Sequence, residues 1–152
     1  MALTKVETET TILSYKSREN IWNIISDFSQ YSKIMQNVEH VSVIEKNGNS
    51  GKSEWHVNIE DAPITWIEED FYDNKNGIIS FKSIEGDFET FNGKWELIEG
   101  EQGIKIKFTV EYYLGLPVIE EVLGHILKDK MQSNIESMLS NIQKRISINE
   151  QN

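Results

Sequence analysis

Between Val38 and Tyr113 apolar residues tend to alternate with polar ones, and clusters of Asn, Gly, Asp and Glu interrupt the alternation at short intervals. A period of two marks strands with one buried face, and closely spaced turns mark an antiparallel meander. Beyond Pro117 the period becomes helical and continues to about Ile148 with no proline or turn cluster inside. An antiparallel meander followed by one long apolar-striped helix predicts a sheet curled around that helix. A cavity between the two is the natural place for a small molecule.

Val6, Thr8, Thr10 and Ile12 share one face of a first strand. Ser17 reads as an N-cap with Glu19 in the first turn, and Ile21, Trp22, Ile24, Ile25 and Phe28 follow at helical spacing. A second short helical turn covers Tyr31 to Met35, so two short helices bridge strands one and two. Strand two carries Val41 and Val43, strand three Trp55, Val57 and Ile59, and strand four runs from Ile64 to Tyr72. Ile79 and Phe81 mark strand five, and Phe91, Gly93, Trp95 and Leu97 mark strand six. Ile104, Ile106, Phe108, Val110 and Tyr112 alternate strictly in strand seven, opposite a polar face of Lys105, Lys107, Thr109 and Glu111. Turns are expected at 47–51, 61–63, 73–77, 85–87 and 99–103. The mouth of the cavity is expected beside turns 61–63 and 85–87 and the 114–117 junction.

Pro117 suits a first helical position, and the last helix is expected to bury Ile119, Val122, Leu123, Ile126, Leu127, Met131, Ile135, Met138, Leu139, Ile142 and Ile146. Its row Leu123, Leu127, Met131, Ile135, Leu139 steps by four. Each step advances roughly 40°, so the stripe swings by about 160° along the helix. Such a stripe suits a curved sheet better than a flat one. One domain over residues 1–148 is expected, with 149–152 a frayed tail.

Composition narrows the function. The 152 residues hold 25 acidic and 15 basic side chains, a formal charge of −10, which argues against nucleic acid and anionic membrane surfaces as partners. There is no cysteine, so disulfides, thiolate nucleophiles and zinc–thiolate sites are excluded. No secretory signal or membrane-spanning run is read at the N-terminus or elsewhere, so a cytoplasmic location is the expectation. His40, His56 and His125 are scattered, without metal-ligand spacing, and His125 lies off the apolar stripe.

The stretches Ile84-Glu85-Gly86-Asp87-Phe88, Phe91-Asn92-Gly93-Lys94-Trp95 and Leu114-Gly115-Leu116-Pro117 before a long helix resemble the polyketide cyclase/dehydrase family. That family belongs to the START-like, birch-allergen-like (SRPBCC) superfamily. Ile21-Trp22-Asn23-Ile24-Ile25-Ser26-Asp27-Phe28-Ser29-Gln30-Tyr31 is similar to its first helix and following turn. The resemblance spans nearly the whole chain. It implies an α+β helix-grip fold: a seven-stranded antiparallel sheet curved around a long C-terminal helix, with a hydrophobic ligand cavity. It further implies aldol cyclisation and dehydration of a poly-β-ketone without metal or organic cofactor. The rival is non-catalytic carriage of a lipid or isoprenoid quinone. A second copy of the chain and the carrier protein of a polyketide synthase are the candidate macromolecular partners. Family cyclases commonly use a pocket arginine; here the only arginines are Arg18 and Arg145, away from the strands.

Aldol chemistry needs an acid or base near a carbon acid and donors near carbonyl oxygens. His56, Glu68 and Tyr72 are the candidate catalytic residues, with Asp70 beside them. Trp66, Phe81, Phe91, Trp95, Tyr112 and Met131 are the candidate ligand contacts. Hairpin register decides which of them meet. A two-residue turn at Asp61-Ala62 sets Trp55 opposite Glu68 and Val57 opposite Trp66. A three-residue turn sets His56 opposite Glu68.

Overall fold

The computed structural model describes residues 3–12, 18–35, 37–59, 61–101, 103–115, 128–133 and 135–145. Several expectations therefore lie outside the described residues: the Ser17 cap, the Leu116-Pro117 junction, Ile119, Val122, Leu123, His125, Ile126, Leu127, Ile146 and the 149–152 tail.

The elements are β1 (Thr4–Ile12), α1 (Arg18–Ser26), a 3-10 turn (Phe28–Gln30), α2 (Tyr31–Ile34), β2 (Val38–Asn47), β3 (Ser50–Ile59), β4 (Ala62–Asp73), β5 (Ile78–Gly86), β6 (Thr90–Gly100) and β7 (Gly103–Tyr113). Residues 128–133 and 135–145 are helical and form α3. The strands form one antiparallel sheet in the order β1-β7-β6-β5-β4-β3-β2. β1 and β2 therefore occupy opposite edges, and α1 and α2 carry the chain from one edge to the other. Met131, Ile135, Leu139 and Ile142 of α3 join the inner face of the sheet in a single core. This is the helix-grip arrangement.

Alternation decides the two faces. In β7 Ile104, Ile106, Phe108, Val110 and Tyr112 are buried, while Lys105 and Lys107 point outward and pair with Glu9 and Glu7 of β1 at 3.5 and 2.8 Å. In β4 the inner positions are Ile64, Trp66, Glu68, Asp70 and Tyr72, all buried. Ile21, Trp22 and Ile25 of α1 and Phe28 of the following turn close the core from the helical side.

The β3–β4 hairpin departs from both expected registers. The chain reverses between Ile59 and Ala62, with Asp61 at φ +65°, so Trp55 faces Trp66, His56 faces Thr65 and Ser53 faces Glu68. The turn sits one residue earlier than expected because Asp61 tolerates the left-handed region, while Ala62 and Pro63 are already strand. A bulge in β5 follows: Ile67 pairs with Glu85 but Glu68 pairs with Ser83, leaving Ile84 as the extra, exposed residue.

Candidate functional site

Between the inner face of the sheet and the helices lies a cavity of about 130 Å³. Its sheet wall is aromatic: Trp55, Trp66, Phe81, Phe91, Trp95 and Phe108, with Phe88 from the β5–β6 connection. Phe28, Tyr31 and Met35 close it on one side, and Met131, Ile135 and Met138 of α3 on the other. The rings pack edge to face, tilted or stacked. Trp66 meets Phe91 at 4.7 Å, Trp95 meets Phe108 at 4.8 Å and Phe28 meets Trp55 at 5.2 Å between centroids. Tyr31 is held by its hydroxyl, which donates to the Ile25 carbonyl.

Polar groups enter this lining at two places. Asn37, Ser137 and Asn141 form one, and Ser137 is exposed, so an opening lies between the α2–β2 junction and α3. No described residue of turns 61–63 or 85–87 lines the cavity, and the Leu116-Pro117 part of the expected mouth lies outside the described residues. The other place is Glu68, on the sheet wall.

Glu68 and Asp70 stand two residues apart on the same face of β4, 2% and 3% exposed. Trp66 Nε1–H donates to Glu68 Oε1 at 2.7 Å. Ser53 Oγ, across the β3–β4 ladder, donates to Asp70 Oδ2 at 2.5 Å, and Trp55 Nε1–H donates to that serine at 2.8 Å. The two carboxyls also hydrogen-bond each other. Burial, then the hydrogen bond and charge of Asp70, hold the Glu68 carboxyl well above the usual carboxylate range. Burial also raises Asp70, against the opposing pull of its hydrogen bonds to Glu68 and Ser53. Two carboxyls so placed titrate as a pair, and burial favours their protonated form. Neither joins an ion pair among the described residues. Asp70 Oδ1 is buried with no donor among the described residues except the proton that Glu68 can supply.

The remaining sequence candidates divide. Trp66, Phe81, Phe91, Trp95 and Met131 line the cavity with Glu68. Tyr72 is buried beyond the carboxyl pair, raised by burial and by the charges of Asp70 and Glu68, and packs on Phe28 at 5.7 Å. Tyr112 is buried against Phe88 at 6.0 Å and is not in the lining. His56 is not brought to the cavity. Alternation puts it on the outer face, opposite His40, with Nε2 2.7 Å from Glu54 Oε1. Its grouping with Glu68 does not survive the observed register. Sequence reasoning missed Ser53, Tyr31 and the indole donor of Trp55. Their one signal is that Ser53 shares its strand face with Trp55 and Val57, where a small polar residue interrupts an apolar row.

Residues 16–139 match the family model described as polyketide cyclase/dehydrase and lipid transport. The chain belongs to this family. No curated protein matches the sequence. Among solved structures, TTHA0849 from Thermus thermophilus is 26% identical, with 95% of this chain and 98% of that one covered and a TM-score of 0.86. The Zhui aromatase/cyclase from a Streptomyces species is 14% identical, with 96% and 94% covered and a TM-score of 0.85. A START superfamily protein from Mycobacterium smegmatis is 17% identical, with 94% and 97% covered and a TM-score of 0.76. At the last two identities the likeness is one of fold. This chain's membership of the polyketide cyclase/dehydrase family implies binding of a small hydrophobic ligand. Among its described residues no helix is long and apolar enough to cross a membrane, and no three His, Asp or Glu side chains gather as a metal site.

Proposed function

We propose that the protein is a polyketide cyclase or dehydratase that closes a ring of an enolisable β-ketone chain inside the aromatic cavity. One observation carries this reading: a buried carboxyl pair, Glu68 with Asp70 behind it, set into an otherwise apolar sheet wall. A pure carrier for a lipid tail gains nothing from two carboxyls there, because burying unneutralised polar groups costs stability. Proton transfer does need them, since an acid with a raised pKa can give a proton near neutral pH.

In the proposed aldol step Glu68 gives its proton to the attacked carbonyl oxygen while the enol carbon of the same chain forms the new C–C bond. The enol oxygen then returns a proton to the pair. For loss of water, the acid protonates the departing hydroxyl and the pair takes the α-proton, so proton and oxygen balance. Asp70 is a positioning residue: it holds the proton and raises the Glu68 pKa. Trp66, Phe81, Phe91, Trp95 and Met131 are the proposed ligand contacts, and His56, Tyr72 and Tyr112 have no contact role in this reading. A cavity of about 130 Å³ accommodates one ring, since an apolar void of about 150 Å³ takes benzene. The rest of the chain would leave past Asn37, Ser137 and Asn141.

The test incubates the protein with a short poly-β-ketone thioester and follows ring closure by mass spectrometry. The expected outcome is acceleration over buffer that falls about 100-fold or more in Glu68→Gln, within the range typical of general acid–base catalysis. No acceleration, together with a lipid or quinone extracted from the purified protein, would overturn the proposal in favour of the carrier.

A further inference from the structure

The cavity carries negative potential from its aromatic faces and its carboxyl pair, and nothing among its described lining residues balances it. Tyr31, Trp55, Trp66, Phe91 and Trp95 present rings, whose faces are the negative part of an aromatic quadrupole. Glu68 lies in the same wall with Asp70 behind it. The two fixed donors to the pair, Ser53 Oγ–H and Trp66 Nε1–H, are neutral, as is the Trp55 N–H that donates to Ser53; they orient the carboxyls without cancelling a negative charge. No lysine, arginine or histidine lines the cavity among the described residues. The titratable groups that bear on the pair are Tyr31 of α2, Tyr72 of its own strand and Asp27 beyond them, while Glu45 of β2, Lys52 of β3, Glu69 of β4 and Lys82 of β5 line a second, shallower opening with Asp70. Lys46 is engaged on the Tyr72 ring, 4.8 Å from its centroid. Asp70 Oδ1 is buried and accepts no hydrogen bond from a fixed donor among the described residues. A formal charge of −10 over the whole chain adds long-range attraction for cations.

We infer that the cavity binds a single-ring aromatic molecule ending in a protonated amine, the ring among the tryptophans and the ammonium at the Glu68–Asp70 pair. This rests on the reading of the cavity as a ligand site and adds a cationic ligand class to it. Such an amine, if not itself a substrate, would compete with the β-ketone.

Calorimetric titration with three probes of one shape tests it: 2-phenylethylamine, neutral 2-phenylethanol and anionic 3-phenylpropionate. At pH 8 the amine should bind at least about 10-fold more tightly than the alcohol, a margin of about 1.4 kcal/mol, and the anion most weakly. The margin should shrink as pH falls, because protonation neutralises the pair while the amine stays charged. In the double variant Glu68→Gln/Asp70→Asn the margin should vanish while the alcohol still binds; the wild-type pH series gives the same information if that variant does not fold. Equal binding of amine and alcohol, or preference for the anion, would overturn the inference and leave the cavity reading standing. Failure of all three probes would overturn it together with the cavity reading. Turnover of the β-ketone without amine affinity would sink this inference alone.

Discussion

Glu68 is the residue on which the proposed chemistry turns, and its burial should leave a signature in stability. Its folded-state pKa is raised, so the folded chain keeps a proton that the unfolded chain releases above the ordinary value of 4.5. Stability must therefore fall as pH rises from that value towards the folded-state pKa, by about 1.4 kcal/mol per pH unit for one proton. Glu68→Gln keeps the shape and an acceptor for the Trp66 N–H but removes the titration. Urea unfolding at pH 5 and pH 8 should show the variant gaining on the wild type as pH rises; parallel profiles would mean that Glu68 ionises in the fold as freely as in water. In the run Glu68-Glu69-Asp70 alternation alone requires that one face receive two carboxyls and the other one. Which face is inward was not legible, because β4 carries apolar residues on both sides: Ile64 and Trp66 inside, Ile67 and Phe71 outside.

At the scale of the element, small irregularities in the ladder aim these side chains. Asp61 at φ +65° lets the β3–β4 hairpin turn early, which puts Ser53 across from Glu68. Asp61→Gly should be tolerated, whereas Asp61→Val should cost about 1–2 kcal/mol for the left-handed backbone, read as a lowered unfolding midpoint. Gly93 is a second such point. A Cβ there would collide with the Thr109 carbonyl oxygen and lie 2.8 Å from Phe81 Cζ, so the missing side chain is what lets Phe81 lie across β6. Gly93→Ala should cost about 1–3 kcal/mol through overpacking and displace the Phe81 ring, checked by denaturant unfolding and near-ultraviolet circular dichroism. Strand existence and alternation were readable from residues such as Ile104 to Tyr112. The β5 bulge at Ile84 was not, because a bulge is decided by pairing with the neighbouring strand.

Considered as a whole, the molecule is a sheet whose edges, β1 and β2, are joined by the α1–α2 crossing, with α3 covering the inner face. That layering leaves the aromatic cavity, and it separates residues that the sequence groups together. Trp66→Ala should weaken ligand binding more than folding, because the indole faces the void and donates to Glu68. Tyr112→Ala, 1% exposed and outside the lining, should instead cost stability on the order of 3–5 kcal/mol, as large-to-small core changes do. Thermal melts with and without a bound probe separate the two outcomes. A probe at 100 times its dissociation constant should stabilise the wild type by about 2.7 kcal/mol, and Trp66→Ala should lose most of that shift.

Local pattern was enough to determine the strands, the short helices and the helical stretch that ends the described chain, since burial of one face imposes a period of two or of 3.6 on the residues themselves. The residues resembling the polyketide cyclase/dehydrase family carried the order of these elements. Only the tertiary structure decided that His56 points outward, that Ser53, Glu68 and Asp70 meet, and that the opening lies beside Asn37 and Asn141. These depend on cross-strand register and helix placement, where a slip of one residue exchanges the faces, and no local periodicity encodes that choice.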